Sequence, residues 1–163
     1  MRRAGKPRVR LEHGVAAVEF AILLGTVLVP LTLGVAELGR AAYYYTTLSK
    51  NVRDAARHAT LGTPGSSALS AQCLAVTGSL ANGGGACTEP PLLPGLTAAN
   101  VTVCDRVLCA GTHGITPVTV GGVTRGSAYR VSVTISGLAF PSIVGGIFSF
   151  TFEPISATFT VKA

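Results

Sequence analysis

The chain has 163 residues, 48% of them hydrophobic, and a formal net charge of +6, which leaves room for one modest domain beside a membrane segment and none for an enzyme with a large core. The charge is not laid out like a nucleic-acid surface. Arg2, Arg3, Lys6, Arg8 and Arg10 against Glu12 put +4 into residues 1–14, while the eight remaining cations face six acids.

A basic cluster directly ahead of an apolar run is a topology signal, because Lys and Arg stay on the cytoplasmic side of a membrane. Residues 1–14 therefore read as a basic cytoplasmic leader without apolar periodicity, ending at His13-Gly14. The run from Val15 to Val35 carries one charge, Glu19. At about 1.5 Å per residue it covers roughly 31 Å, the thickness of a bilayer's hydrocarbon core. An ordinary cleavable signal has a shorter apolar core and a small-residue cleavage site after it. Neither holds here, so retention in the membrane is expected.

The boundaries expected are a transmembrane helix over 15–38 and its extracytoplasmic continuation over 39–61. Within the first, Ala17, Ala21 and Gly25 recur every four residues, a stripe of small side chains that lets helices approach closely in lipid. An acid inside lipid costs about 2 to 3 kcal/mol, so Glu19 must either reach water at the cytoplasmic interface or meet a cation. Pro30 should kink or locally unwind the helix. Glu37 and Arg40, three apart, can pair at the outer boundary, and Tyr43, Tyr44 and Tyr45 fall where an aromatic belt belongs.

Further on, Tyr45, Leu48, Val52, Ala55 or Ala56, and Ala59 repeat at helical spacing while Lys50, Arg53, Asp54 and Arg57 take the other positions. This predicts a helix with one face packed on the C-terminal region, stopped by Gly62 and Pro64. Residues 62–100 are rich in Gly, Ser, Ala, Thr and Pro and are expected to be loop with little core of their own.

Residues 101–163 read as an antiparallel β region. Val101 to Cys104 is a short strand, and Val118 to Val120 and Val123 to Arg125 flank Gly121-Gly122, a hairpin signal. Tyr129 to Ile135, Phe148 to Phe152 and Ala157 to Val161 alternate apolar with polar residues, the period of half-buried strands. Between them, Gly137 to Phe150 is apolar, broken by Pro141, Gly145 and Gly146, and too short to span a bilayer. It is expected to be a buried connection, the alternative being an exposed patch for a partner or the membrane surface. The fold class expected is α+β: a long N-terminal helix, membrane-spanning in its first half, packed on a small C-terminal antiparallel sheet.

All four cysteines, Cys73, Cys87, Cys104 and Cys109, follow the apolar run, on the side that reaches an oxidising compartment. Two disulfides are expected, most simply Cys73 with Cys87 and Cys104 with Cys109, each closing a short loop. The alternative is zinc on Cys104, Cys109 and His113, but their C-x4-C-x3-H spacing departs from usual ligand knuckles. The three histidines fall in the leader (His13), on the charged helix (His58) and beside a loop glycine (His113), so that nothing positions a general base, and GGVTRG at 121–126 lacks the spacing and following helix of a phosphate loop. No catalysis, metal, cofactor, small-molecule substrate or nucleic acid is expected.

Gly14-Val15-Ala16-Ala17-Val18-Glu19-Phe20, then Glu37-Leu38-Gly39-Arg40-Ala41, then Ala55-Ala56-Arg57-His58-Ala59 resemble, in that order and spacing, the TadE-like family of minor pilin-related (pseudopilin) proteins of the tight-adherence, Flp-type pilus. A weaker likeness covers Tyr129 to Ile135 and Ile155 to Thr158. The resemblance implies that a prepilin peptidase cuts between Gly14 and Val15, and that Glu19, fifth in the mature chain, serves cleavage or subunit packing. It implies partners among other pilin or Tad-apparatus subunits and membrane lipid, with the N-terminus cytoplasmic and the remainder outside. Family members commonly carry Pro six residues after that Glu, where this chain has Gly25 and places Pro30 further on. The alternative function is a monomeric, signal-anchored extracytoplasmic module that binds a surface ligand.

Overall fold

The computed structural model describes residues 12–81, 87–143 and 150–163. The basic cluster of the leader, the glycine triplet at 83–85 and Phe148 lie outside them. The chain forms two compact units, Met1–Arg40 and Ala41–Ala163.

In the first unit, helix α1 (Glu12–Leu23) leads through one π turn (Leu24–Leu28) into helix α2 (Val29–Leu61). The π turn has a local cause. Pro30 has no N–H to give the Thr26 carbonyl, and its ring would crowd that carbonyl in a regular helix. Here the Val29 N–H reaches back five residues to the Leu24 carbonyl, and the widened turn relieves the clash just ahead of the proline. The expected disturbance at Pro30 thus takes the form of an inserted residue.

In the second unit, the rest of α2 turns one face inward. Leu48, Val52, Ala55 and Ala56 are fully buried and Ala59 nearly so, the spacing of a helical stripe. Tyr45, expected on that stripe, is exposed, while Tyr44 packs against the core. Counting four back from Leu48 reaches Tyr44, and Tyr45 lies about 100° further round the helix.

The expectation of a coreless loop over 62–100 is corrected. Helix α3 (Ala68–Thr77) buries Ala71, Cys73, Ala75 and Val76, and ends on Gly78 in the left-handed region. Leu93 and Leu96, 1% exposed, belong to the same core. Composition averaged over the segment hides the ten residues ALSAQCLAVT, which contain neither Gly nor Pro. Their apolar side chains also spread around the helix, so no periodic stripe marks them.

The sheet is built on one long strand. Strands β1 (Val101–Cys104), β2 (Thr116–Val120) and β4 (Ile155–Lys162) all pair antiparallel with β3 (Val123–Ile135). β1 and β4 share partners 132–135 and β2 and β4 share Ala128, so β4 takes one edge and β1 and β2 the other. The β2–β3 hairpin turns on Gly121 (φ 60°) and Gly122 (φ 79°), the two positive φ values of a type I′ turn. The segments Val123 to Arg125 and Tyr129 to Ile135 are one strand rather than two, with the register slipping between Val118 and Thr119. Tyr129, Val131, Val133 and Ile135 face α2 and α3 in the core.

No strand runs through Phe150 and Phe152 among the described residues; a single bridge pairs Ala139 with Thr151. Pro141, which lacks an N–H for the ladder, stands directly beyond it. The expected burial of this connection holds for Leu138 and Phe140, 2% and 5% exposed, and fails for Ile143, at 75%.

Candidate functional site

The residues singled out at the N-terminus lie on α1 and the π turn. Helical rise places Ala17 and Ala21 one turn apart on one face, with Gly25 following in the π turn. Every side chain described from position 14 to 33 is exposed, including Glu19. A Cβ built on Gly14 or Gly25 would meet nothing within 4 Å. Val15, Phe20, Leu31 and Val35 are each more than 60% exposed. A helix apolar all round is either a core helix or a membrane span, and this one is not covered by protein. The helical stretch Gly14–Leu61 is the one, among the described residues, long and apolar enough to cross a membrane, consistent with a single-pass anchor. Just past the apolar run the Arg40 guanidinium donates to the Glu37 carboxylate at 2.8 Å.

The cysteines pair as Cys73–Cys87 and Cys104–Cys109, with Cα atoms 5.2 Å apart in both. The trio weighed as a zinc site does come together: ligand atoms of Cys104, Cys109 and His113 lie within 4.8 Å of one another. Its two sulfurs are bonded to each other, however, and a disulfide has no thiolate to offer a metal. His113 is engaged through both ring nitrogens, Nδ1 with Thr112 Oγ1 and Nε2 with Ser132 Oγ, each at 2.8 Å.

That Ser132–His113 contact joins residues 19 apart in sequence and is invisible to local spacing. Its third member is the Thr112 hydroxyl, and among the described residues no carboxylate bonds His113. A hydroxyl there does not stabilise an imidazolium as an acid would. The contact ties the short helix α4 (Ala110–His113) to the solvent face of β3.

Sequence reasoning also passed over Asp105. This buried carboxylate accepts from the backbone N–H groups of Gly65, Val107 and Leu108. Burial works to raise its pKa, but the N–H groups of Leu108, Gly65 and Val107, with the Arg106 charge, outweigh that and hold it below the usual aspartate range. The signal was available in part: an Asp directly after a strand, ahead of Arg-Val-Leu, is an Asx-turn former. Its partner Gly65 could not be read from sequence. The Arg106 guanidinium in turn lies 5.2 Å from the centre of the Tyr129 ring.

Residues 14–57 match the family model described as TadE-like protein. The match takes in α1, the π turn and α2 as far as Arg57, and so includes the Gly14 to Phe20 and Glu37 to Ala41 motifs. The C-terminal likeness at β3 and β4 lies outside it. The match covers about a quarter of the chain. No curated protein and no solved structure matches the chain.

Proposed function

From a TadE-like helix joined to a disulfide-tied α+β unit, we propose that the chain is a pseudopilin-like subunit that takes part in assembling a Tad, Flp-type pilus or a related secretion machine. The leader stays in the cytoplasm, residues 15–38 cross the membrane, and the unit from Ala41 onward stands outside. Two disulfides fit an oxidising exterior, and the basic leader fits the inside.

The mechanism follows from the helix. Held in the bilayer, the subunit is a precursor whose peptide bond after Gly14 is cut by a prepilin peptidase, freeing the Val15 amine. Glu19, one turn along, then meets the amine of a neighbouring subunit, and that charge pair offsets the roughly 2 to 3 kcal/mol an acid costs in lipid. Ala17, Ala21 and Gly25 let the neighbouring helix approach to backbone contact. The observation that carries this reading is the TadE-like match falling on a helix whose small-residue stripe is uncovered in the single chain.

The test is the intact mass and N-terminal sequence of the membrane-extracted protein, expressed with its own secretion genes. A start at Val15 is expected. A start at Met1 would move the reading to a signal-anchored module, and a start beyond Val35 would make the helix a removed signal.

A further inference from the structure

We infer that reduction of the Cys104–Cys109 disulfide opens a zinc site, in which the two thiolates and the His113 imidazole hold one Zn²⁺. Among the described residues these three form the one group of His, Cys, Asp or Glu side chains placed to share an ion, with ligand atoms within 4.8 Å of one another. A tetrahedral zinc with bonds of about 2.3 Å to sulfur and about 2.0 Å to nitrogen spaces such atoms roughly 3.5 to 3.8 Å apart. The trio has that scale already, and it is the S–S bond that keeps a metal out. Breaking the bond takes a dithiol reductant. The reductant gives up two electrons and two protons and becomes a disulfide itself, while Cys104 and Cys109 become thiols, each of which releases its proton on binding the ion.

The backbone that carries the ligands is held by bonds other than the disulfide. Cys104 ends β1, in register with Ser132 of β3. The Asp105 carboxylate accepts from the N–H groups of Val107 and Leu108. The Asp105 carbonyl accepts from the Cys109 N–H at 3.0 Å, and the Cys109 carbonyl from the His113 N–H at 2.9 Å. These bonds keep the three residues together when the sulfurs part, and all three are only partly buried, within reach of reductant and ion. The imidazole is in the right tautomer, as its hydrogen bonds assign it. Nδ1 lies 2.8 Å from Thr112 Oγ1, and that hydroxyl has the Cys109 carbonyl at 3.4 Å to take its own proton. Nδ1 therefore carries the ring proton, and the Nε2 lone pair accepts from the Ser132 hydroxyl at 2.8 Å. Because Ser132 is the cross-strand partner of Cys104, that lone pair is already on the cysteine's strand pair. A metal at Nε2 displaces one serine hydroxyl, while Thr112 goes on fixing the ring from its other side. Water takes the fourth position.

Cobalt(II) added to the full chain in detergent micelles tests this, with zinc as the competitor. After reduction by a phosphine, one Co²⁺ per chain is expected, with sulfur-to-cobalt charge-transfer absorption that Zn²⁺ abolishes. The unreduced chain should show none. Reduction also frees Cys73 and Cys87, so the Cys104→Ser/Cys109→Ser chain is the control, and it should lose the absorption. His113→Gln should weaken binding several-fold, and so should unfolding the reduced native chain in urea. Absorption of equal strength in the double-serine chain would put the metal on the other cysteine pair and overturn the inference. So would undiminished affinity in the His113→Gln chain or in urea, which would mark two thiolates on a loose chain in place of a built site. A reduced native chain without the absorption would overturn it as well.

Discussion

The carboxylate of Asp105 accepts a hydrogen bond from the backbone N–H of Gly65, 40 residues earlier in the chain. It also accepts from Val107 and Leu108 at 2.8 Å each, and so fastens the turn after α2 to the end of β1, next to the Cys104–Cys109 disulfide.

Asp105→Asn removes the charge that makes these bonds strong. A loss of about 1.5 to 3 kcal/mol is expected, read from denaturant unfolding in detergent micelles. The pH dependence has a definite sign. Because the folded pKa is depressed, the bonds contribute fully above the ordinary aspartate value of about 3.9 and lose their contribution as pH falls through the folded value. The asparagine variant should lose less stability than the native chain over that acid window.

The position of the α2 face can be checked with a pair of substitutions. Leu48→Ala opens a cavity at a fully buried site and should cost about 2 to 5 kcal/mol. Tyr45→Ala, on the exposed side, should stay within about 0.5 kcal/mol. Equal costs would place the stripe wrongly.

Cys73 and Cys87 close a segment with a sequence separation of 14. Replacing both by serine frees the denatured chain and should cost roughly 3 kcal/mol. Unfolding of the double variant beside the native chain, both without reductant, measures it.

Gly14→Glu should leave the leader in place. The membrane-extracted protein would then keep the mass of the uncut chain, while the native protein loses residues 1–14. An identical mature mass in both would exclude cleavage at this bond.

Ala21→Leu fills the small-residue stripe. Ala21 is exposed, so unfolding of the unit from Ala41 onward should not change, whereas crosslinking to neighbouring subunits within the membrane should fall several-fold. Unchanged crosslinking would assign helix packing to another face.

Some elements were legible because their cause is local. The length and apolarity of Val15 to Val35, the disturbance at Pro30, the turn at Gly121-Gly122 and the alternation of Tyr129 to Ile135 each follow from a few neighbouring residues. The same holds for the motif Gly14 to Phe20, which marks the site without saying what meets it.

Other features were decided only when distant parts of the chain met. Whether ALSAQCLAVT is helix or loop depends on Ala71 and Ala75 having Leu93, Leu96 and the sheet to pack against, a context its composition does not carry. Gly65 and Ser132 become partners of Asp105 and His113 across 40 and 19 residues, and no period records such a pairing. Tyr44 rather than Tyr45 faces the core because a residue's side of a helix is fixed by what the helix leans on. The sequence by itself determined the periods and the turns, which come from backbone geometry and side-chain size. Tertiary structure decided which polar groups find one another and which apolar residues stay uncovered, because only closure of the chain fixes distances between residues remote in sequence.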